Sequence, residues 1–70
     1  MLAWEYASLE WIWDQGGIRV NLPDGTESTA GGSYAEVVET LTQLGRQGWE
    51  VAACVAMANW LYWTLQRPLA

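Results

Sequence analysis

Histidine, lysine and phenylalanine are absent from this 70-residue chain, and cysteine occurs once, at Cys54. Each absence removes a class of function. Without histidine there is no Ser-His-Asp or Cys-His arrangement, and Ser8, Ser28 and Ser33 have no evident base for acyl transfer. One thiol cannot form an internal disulfide, nor can it supply the roughly four Cys or His ligands of a zinc site. The cations are Arg19, Arg46 and Arg67, set against eight carboxylates, for a formal charge of −5. That balance provides no basic stripe to displace counterions from long DNA or RNA, although a few arginines can still hold a small phosphorylated ligand. Long apolar runs are missing too. Val51 to Leu65, interrupted by Asn59, falls short of the roughly 20 residues that cross a bilayer. Met1 to Glu10 has neither the basic nor the apolar region of a signal peptide. The expectation is a cytoplasmic protein with no cofactor or metal, and with Cys54 as a small core residue in a reducing compartment.

What the chain has in excess is tryptophan: Trp4, Trp11, Trp13, Trp49, Trp60 and Trp63. Each carries a large apolar surface and an N–H that needs a partner when buried. A single domain over residues 1–70 sits near the size at which one core supplies only about 3–5 kcal/mol. With disulfides and metals excluded, oligomerisation is the remaining route to stability. Burying two further tryptophans across a dimer removes about 300–500 Å² from water, roughly 7–12 kcal/mol before the costs of association. A homo-oligomer follows as an expectation.

Turn signals divide the chain. Trp4 to Trp13 reads as a strand bounded by Asp14-Gln15-Gly16-Gly17. Ile18, Val20 and Leu22 alternate with Arg19 and Asn21, as in a strand with one buried face. Pro23-Asp24-Gly25 is a turn, after which Thr26 to Thr29 returns as a short edge strand; Ala30-Gly31-Gly32 is a flexible joint. Ser33-Tyr34-Ala35-Glu36 has the form of a capping box, with Ser33 accepting from the Glu36 N–H and the Glu36 side chain reaching back. Tyr34, Val37, Val38, Leu41 and Leu44 then recur at helical spacing, and Arg46 and Gly48 suit the helix end.

Trp49 to Met57 and Trp60 to Gln66 read as a hairpin around Ala58-Asn59. A tight turn there places Trp49, Val51, Ala53, Val55 and Met57 on one face with Trp60, Tyr62 and Thr64. The opposite face then carries Ala52, Cys54, Ala56, Leu61, Trp63 and Leu65. Both faces are apolar, and a single helix can cover only one. The competing reading makes Ala52 to Leu65 a helix, on the strength of its alanine, methionine and leucine. The fold class is α+β: a small antiparallel sheet of about four strands with one helix on one face, in the order β-β-α-β-β.

Trp4-Glu5-Tyr6, Leu44-Gly45, Gly48-Trp49-Glu50-Val51 and Arg67-Pro68 together resemble a family of very small bacterial and phage proteins catalogued as domain of unknown function 4177. The resemblance spans most of the chain, and its distinctive element is Gly-Trp-Glu-Val. It implies one helix packed on a small antiparallel sheet and supplies no activity. The segment Ile18 to Thr29 and the load of Trp11, Trp13, Trp60 and Trp63 depart from the family pattern.

Chemistry finds little support in the remaining residues. Glu5, Glu10, Asp14 and Glu50 suit solvated surface carboxylates better than an acid–base pair. Gly16-Gly17 and Gly31-Gly32 lack the spacing of a phosphate loop, and Glu36 already occupies the anion position at the helix start. The expectation is a non-catalytic module that docks a protein partner through an aromatic sheet face or edge. The alternative is a phage-type sponge or sensor that sequesters a small nucleotide signal at the subunit interface. Trp11, Trp13, Trp60, Tyr62, Trp63, Arg19 and Arg67 are the candidate ligand-binding or interface residues for both readings.

Overall fold

Alternating apolar residues and well-placed turns build one antiparallel sheet with a helix across one face. The structure, a computed structural model, describes residues 3–14 and 16–69. Met1, Leu2, Gln15 of the first expected turn and Ala70 lie outside the described residues. The elements are β1 (Trp4–Ile12), β2 (Gly17–Asn21), β3 (Glu27–Gly31), α1 (Tyr34–Arg46), β4 (Glu50–Met57) and β5 (Trp60–Pro68). The sheet has five strands in the order β3-β2-β1-β5-β4, and every neighbouring pair is antiparallel.

The chain is α+β with one helix, as its patterning implies, but the sheet has a fifth strand and the order is β-β-β-α-β-β. The short return expected at Thr26 to Thr29 is a complete strand, paired from Asn21↔Glu27 to Gly17↔Gly31. The turn at Pro23-Asp24-Gly25 launches it: Gly25 N–H donates to the Leu22 carbonyl at 3.0 Å, and Leu22 N–H to the Thr26 carbonyl at 2.9 Å. Ala30 and Gly31, expected in a flexible joint, continue the ladder, and Gly32 N–H closes it on the Gly16 carbonyl at 2.6 Å. Backbone pairing, not side-chain burial, holds this strand, because all of its residues are exposed.

Helix α1 begins at Ser33, whose side chain makes no capping hydrogen bond. The expected capping box is therefore absent. The Ser33 carbonyl instead accepts from Glu36 N–H at 3.0 Å and Val37 N–H at 3.1 Å. The Glu36 side chain folds back against Gly32, where an added Cβ would lie 2.5 Å from its carboxylate. The other end matches the reading of Gly48. With φ of +95°, Gly48 lets its own N–H reach the Gly45 carbonyl at 3.0 Å and Trp49 N–H reach Leu44 at 3.1 Å. These are the paired bonds of a Schellman motif, and they deliver Trp49 beside Leu44 into the core.

The core lies between α1 and the middle of the sheet. Ala7, Leu9, Ile18, Val20, Trp63 and Leu65 project from β1, β2 and β5 against Val37 and Leu44, with Trp49 closing one end. Leu9 and Val37 are fully enclosed, and Leu65 is 1% exposed. Ala52 to Leu65 is a hairpin and not a helix. Its turn puts Ala58 at φ +44°, a left-handed position that costs a non-glycine residue about 1–2 kcal/mol.

One bulge corrects the expected faces. Val51 stands opposite Leu65 and Ala53 opposite the adjacent Thr64, so Ala52 is an extra residue. A one-residue insertion reverses which side of the sheet the preceding residues meet. Ala53, Val55 and Met57 share a face with Thr64, Tyr62 and Trp60 as expected, whereas Val51 and Trp49 cross to the helix side.

Candidate functional site

The sheet face turned away from α1 has no second layer, and none of its described residues is buried. Strand registers arrange it in rows. One row runs Gly31, Gly17, Ile12, Trp60, Met57; the next runs Thr29, Arg19, Glu10, Tyr62, Val55. A third runs Glu27, Asn21, Ser8, Thr64, Ala53. The face therefore divides along its width. Toward β3 it is polar: Arg19 lies 3.6 Å from Glu10 and 3.9 Å from Glu27, and Asn21 donates to the Ser8 hydroxyl at 3.4 Å. Toward β4 it is apolar, with Trp60 and Tyr62 packed edge to face at 5.6 Å beside Ile12, Val55 and Met57.

This apolar half runs onto an edge strand that is exposed along its whole length. Every residue of β4 is exposed, including Val51, Val55 and Met57 at 52–57%. Cys54, expected in the core, is an exposed free thiol here. The reason is lateral. The helix covers β2, β1 and β5, and β4 lies beyond its reach.

Paired glycines make a depression on the polar side. Gly17 and Gly31 stand opposite each other at the β3 end of the first of these rows, and a Cβ at Gly17 would meet open space. The result is an open groove of about 460 Å³ lined by Glu10, Ile12, Gly17, Arg19, Thr29 and Gly31. Both carboxylates near Arg19 oppose binding of an anion in this groove.

The candidate residues fall into separate places. Trp60, Tyr62 and Arg19 share the open face. Arg19 is set two strands from Tyr62, about 10 Å at the usual strand spacing. Trp11 lies at the start of α1, donating its ring N–H to the Gly32 carbonyl at 3.2 Å and meeting Tyr34 and Trp13 edge to face. Trp13 is exposed, with its backbone N–H held by the Asn59 carbonyl at 3.1 Å. Trp63 is 7% exposed and belongs to the core, on the opposite side of β5 from Trp60 and Tyr62. Arg67 lies at the far end of the sheet. Its guanidinium sits 4.3 Å over the Trp49 ring, Nε donates to Glu5 at 2.8 Å, and an Nη donates to the Gln47 carbonyl at 2.9 Å. Arg67 thus ties β5, β1 and the end of α1 together. Sequence reasoning missed this clasp, because its four residues are spread from position 5 to 67.

Among the described residues no group of three or more Cys, Asp or Glu side chains is placed to hold a metal, and no helix is long and apolar enough to cross a membrane. In the comparisons with known proteins, no family model, no curated protein and no solved structure matches this chain.

Proposed function

We propose that this protein is a non-catalytic binding module that works as a homo-oligomer and docks a protein partner through the aromatic half of its open sheet face. The observation that carries the reading is the contiguous surface of Ile12, Trp60, Tyr62, Val55 and Met57, which has no covering layer and ends at a bare apolar edge. A surface of this kind, rimmed by Glu10, Glu50 and Gln66, has the apolar centre and polar margin of a protein interface. The exposed thiol of Cys54 suits a reducing cytoplasm. The resemblance to the small bacterial and phage family is compatible with such a role and adds no activity to it.

The nucleotide-sequestering alternative rests on Arg19 beside the groove of about 460 Å³, a volume suited to a small ligand. It has thinner support. Arg67 and Trp63 are committed to structure, and Arg19 is shared by two carboxylates. A photo-reactive residue in place of Tyr62, with one in place of the outward-facing Thr42 as control, separates the two. Adducts to one defined protein from position 62 alone support docking. Adducts of nucleotide mass, or equal labelling from both positions, contradict it.

A further inference from the structure

The geometry points to β4 as the seam of a two-fold dimer in which this strand pairs antiparallel with β4 of a second copy, Val55 lying opposite Val55 of the partner subunit. The inference rests on the self-association proposed above and gives it a location and a register.

Edge strands are ordinarily blunted by charge, proline or irregularity. From Val51 to Met57 there is no charge and no proline, and the bulge at Ala52 is the sole irregularity. The regular run is therefore Ala53–Met57, whose midpoint is Val55. Symmetry fixes the rest. A two-fold axis normal to the sheet keeps each side chain on its own face, so one residue must stand opposite itself. Centring the regular run sets Val55 against itself, Cys54 against Ala56 of the partner subunit, and Ala53 against Met57 of the partner subunit.

Charge along the strand does not oppose this arrangement, although each chain carries a formal −5. Glu50 is the one ionised residue of β4, and antiparallel pairing about Val55 sends the two copies to opposite ends of the seam, roughly 34 Å apart. That separation exceeds the Debye length of about 10 Å at 0.1 M salt, so their repulsion is screened.

Area then decides what else must take part. The five paired residues Ala53–Met57 make an edge about 17 Å long and about 10 Å deep, roughly 170 Å² in section, which is short of the roughly 500 Å² per partner that a specific interface needs. The flanks supply the difference. On the open face, the rows carry Tyr62 and Trp60 up to the seam. On the helix side, Val51 of β4 stands exposed beside the seam. The dimer would be one continuous ten-stranded sheet whose two aromatic half-faces meet at the seam.

The test is a charge swap at Val55, an exposed side chain whose replacement leaves the core intact. Val55→Lys and Val55→Glu are prepared separately, checked for folding by circular dichroism, and weighed by native mass spectrometry alone and mixed. The expected result is a dimeric wild type, each variant dimerising at least about 100-fold more weakly, and a restored dimer in the mixture, because like charges face each other in the first case and opposite charges in the second. Two dimeric variants would overturn the β4 seam and leave self-association standing. Monomeric variants whose mixture stays monomeric would overturn the Val55 register. A monomeric wild type, with or without an extended peptide bound along β4, would overturn both the seam and self-association.

Discussion

Strands β4 and β5 are neighbours in one hairpin, have similar apolar character, and meet opposite fates. In β5, Leu65 and Trp63 are among the most enclosed side chains of the molecule, whereas in β4 nothing is buried. Hydrophobicity does not explain the difference; position under the helix does. Helix α1 is wide enough for the strands nearest the centre of the sheet, and β5 falls within its footprint while β4 falls outside. A hydrophobic strand left uncovered in this way is the observation on which association at β4 is proposed.

Substitution can break the comparison most severely at its buried end. Trp63→Ala should cost about 3–5 kcal/mol, enough to unfold a domain of this size, whereas Val55→Ala should change the stability of the single chain by less than about 0.5 kcal/mol. Urea titrations at low chain concentration check both. Equal losses would mean that β4 is as structural as β5.

A smaller loss tests why β5 is anchored at its far end. Arg67→Ala removes the stack on Trp49, the ion pair with Glu5 and the bond to the Gln47 carbonyl, and should destabilise by about 2 kcal/mol. Arg67→Lys keeps the charge but loses the planar fork, so it should recover only part of this. Full recovery in thermal melts would reduce the clasp to a point charge.

The turn shared by the two strands offers a gain. Ala58→Gly relieves the left-handed backbone at φ +44° and should stabilise by up to about 1 kcal/mol. The smallest effect lies outside the hairpin, at the β2–β3 turn. The Thr26 hydroxyl, and then its backbone N–H, hold the Asp24 carboxyl below its usual value of 3.8. A depressed value in the folded state favours folding above 3.8, and this contribution is lost as pH falls through the folded value. Asp24→Asn should therefore slightly lower stability at neutral pH, leave it unchanged below the folded value, and so flatten the acid limb of the stability curve measured by urea titration.

Local chemistry made part of this architecture legible in the sequence. Gly48 ended the helix, Pro23-Asp24-Gly25 turned β2 into β3, and aromatic residues around Ala58-Asn59 favoured a hairpin over a helix. The remainder depended on non-local facts. The bulge falls between two alanines, Ala52 and Ala53, which carry no sign of which one is extra. Strand β3 has no apolar alternation, because it is held by its backbone ladder and not by burial. The fate of Cys54 depended on where the helix lay across the sheet, and the role of Arg67 on three partners distant in the chain. For the candidate site, Trp60 and Tyr62 did reach the open face, but the parity of β5 placed Trp63 behind them in the core.

The most direct measurement is residue-resolved amide hydrogen exchange across β4 at high and low chain concentration. The account predicts that the edge-facing amides of Ala53–Met57 are protected when concentrated and exchange rapidly on dilution, while protection in β5 stays constant. Rapid exchange along β4 at both concentrations would contradict it.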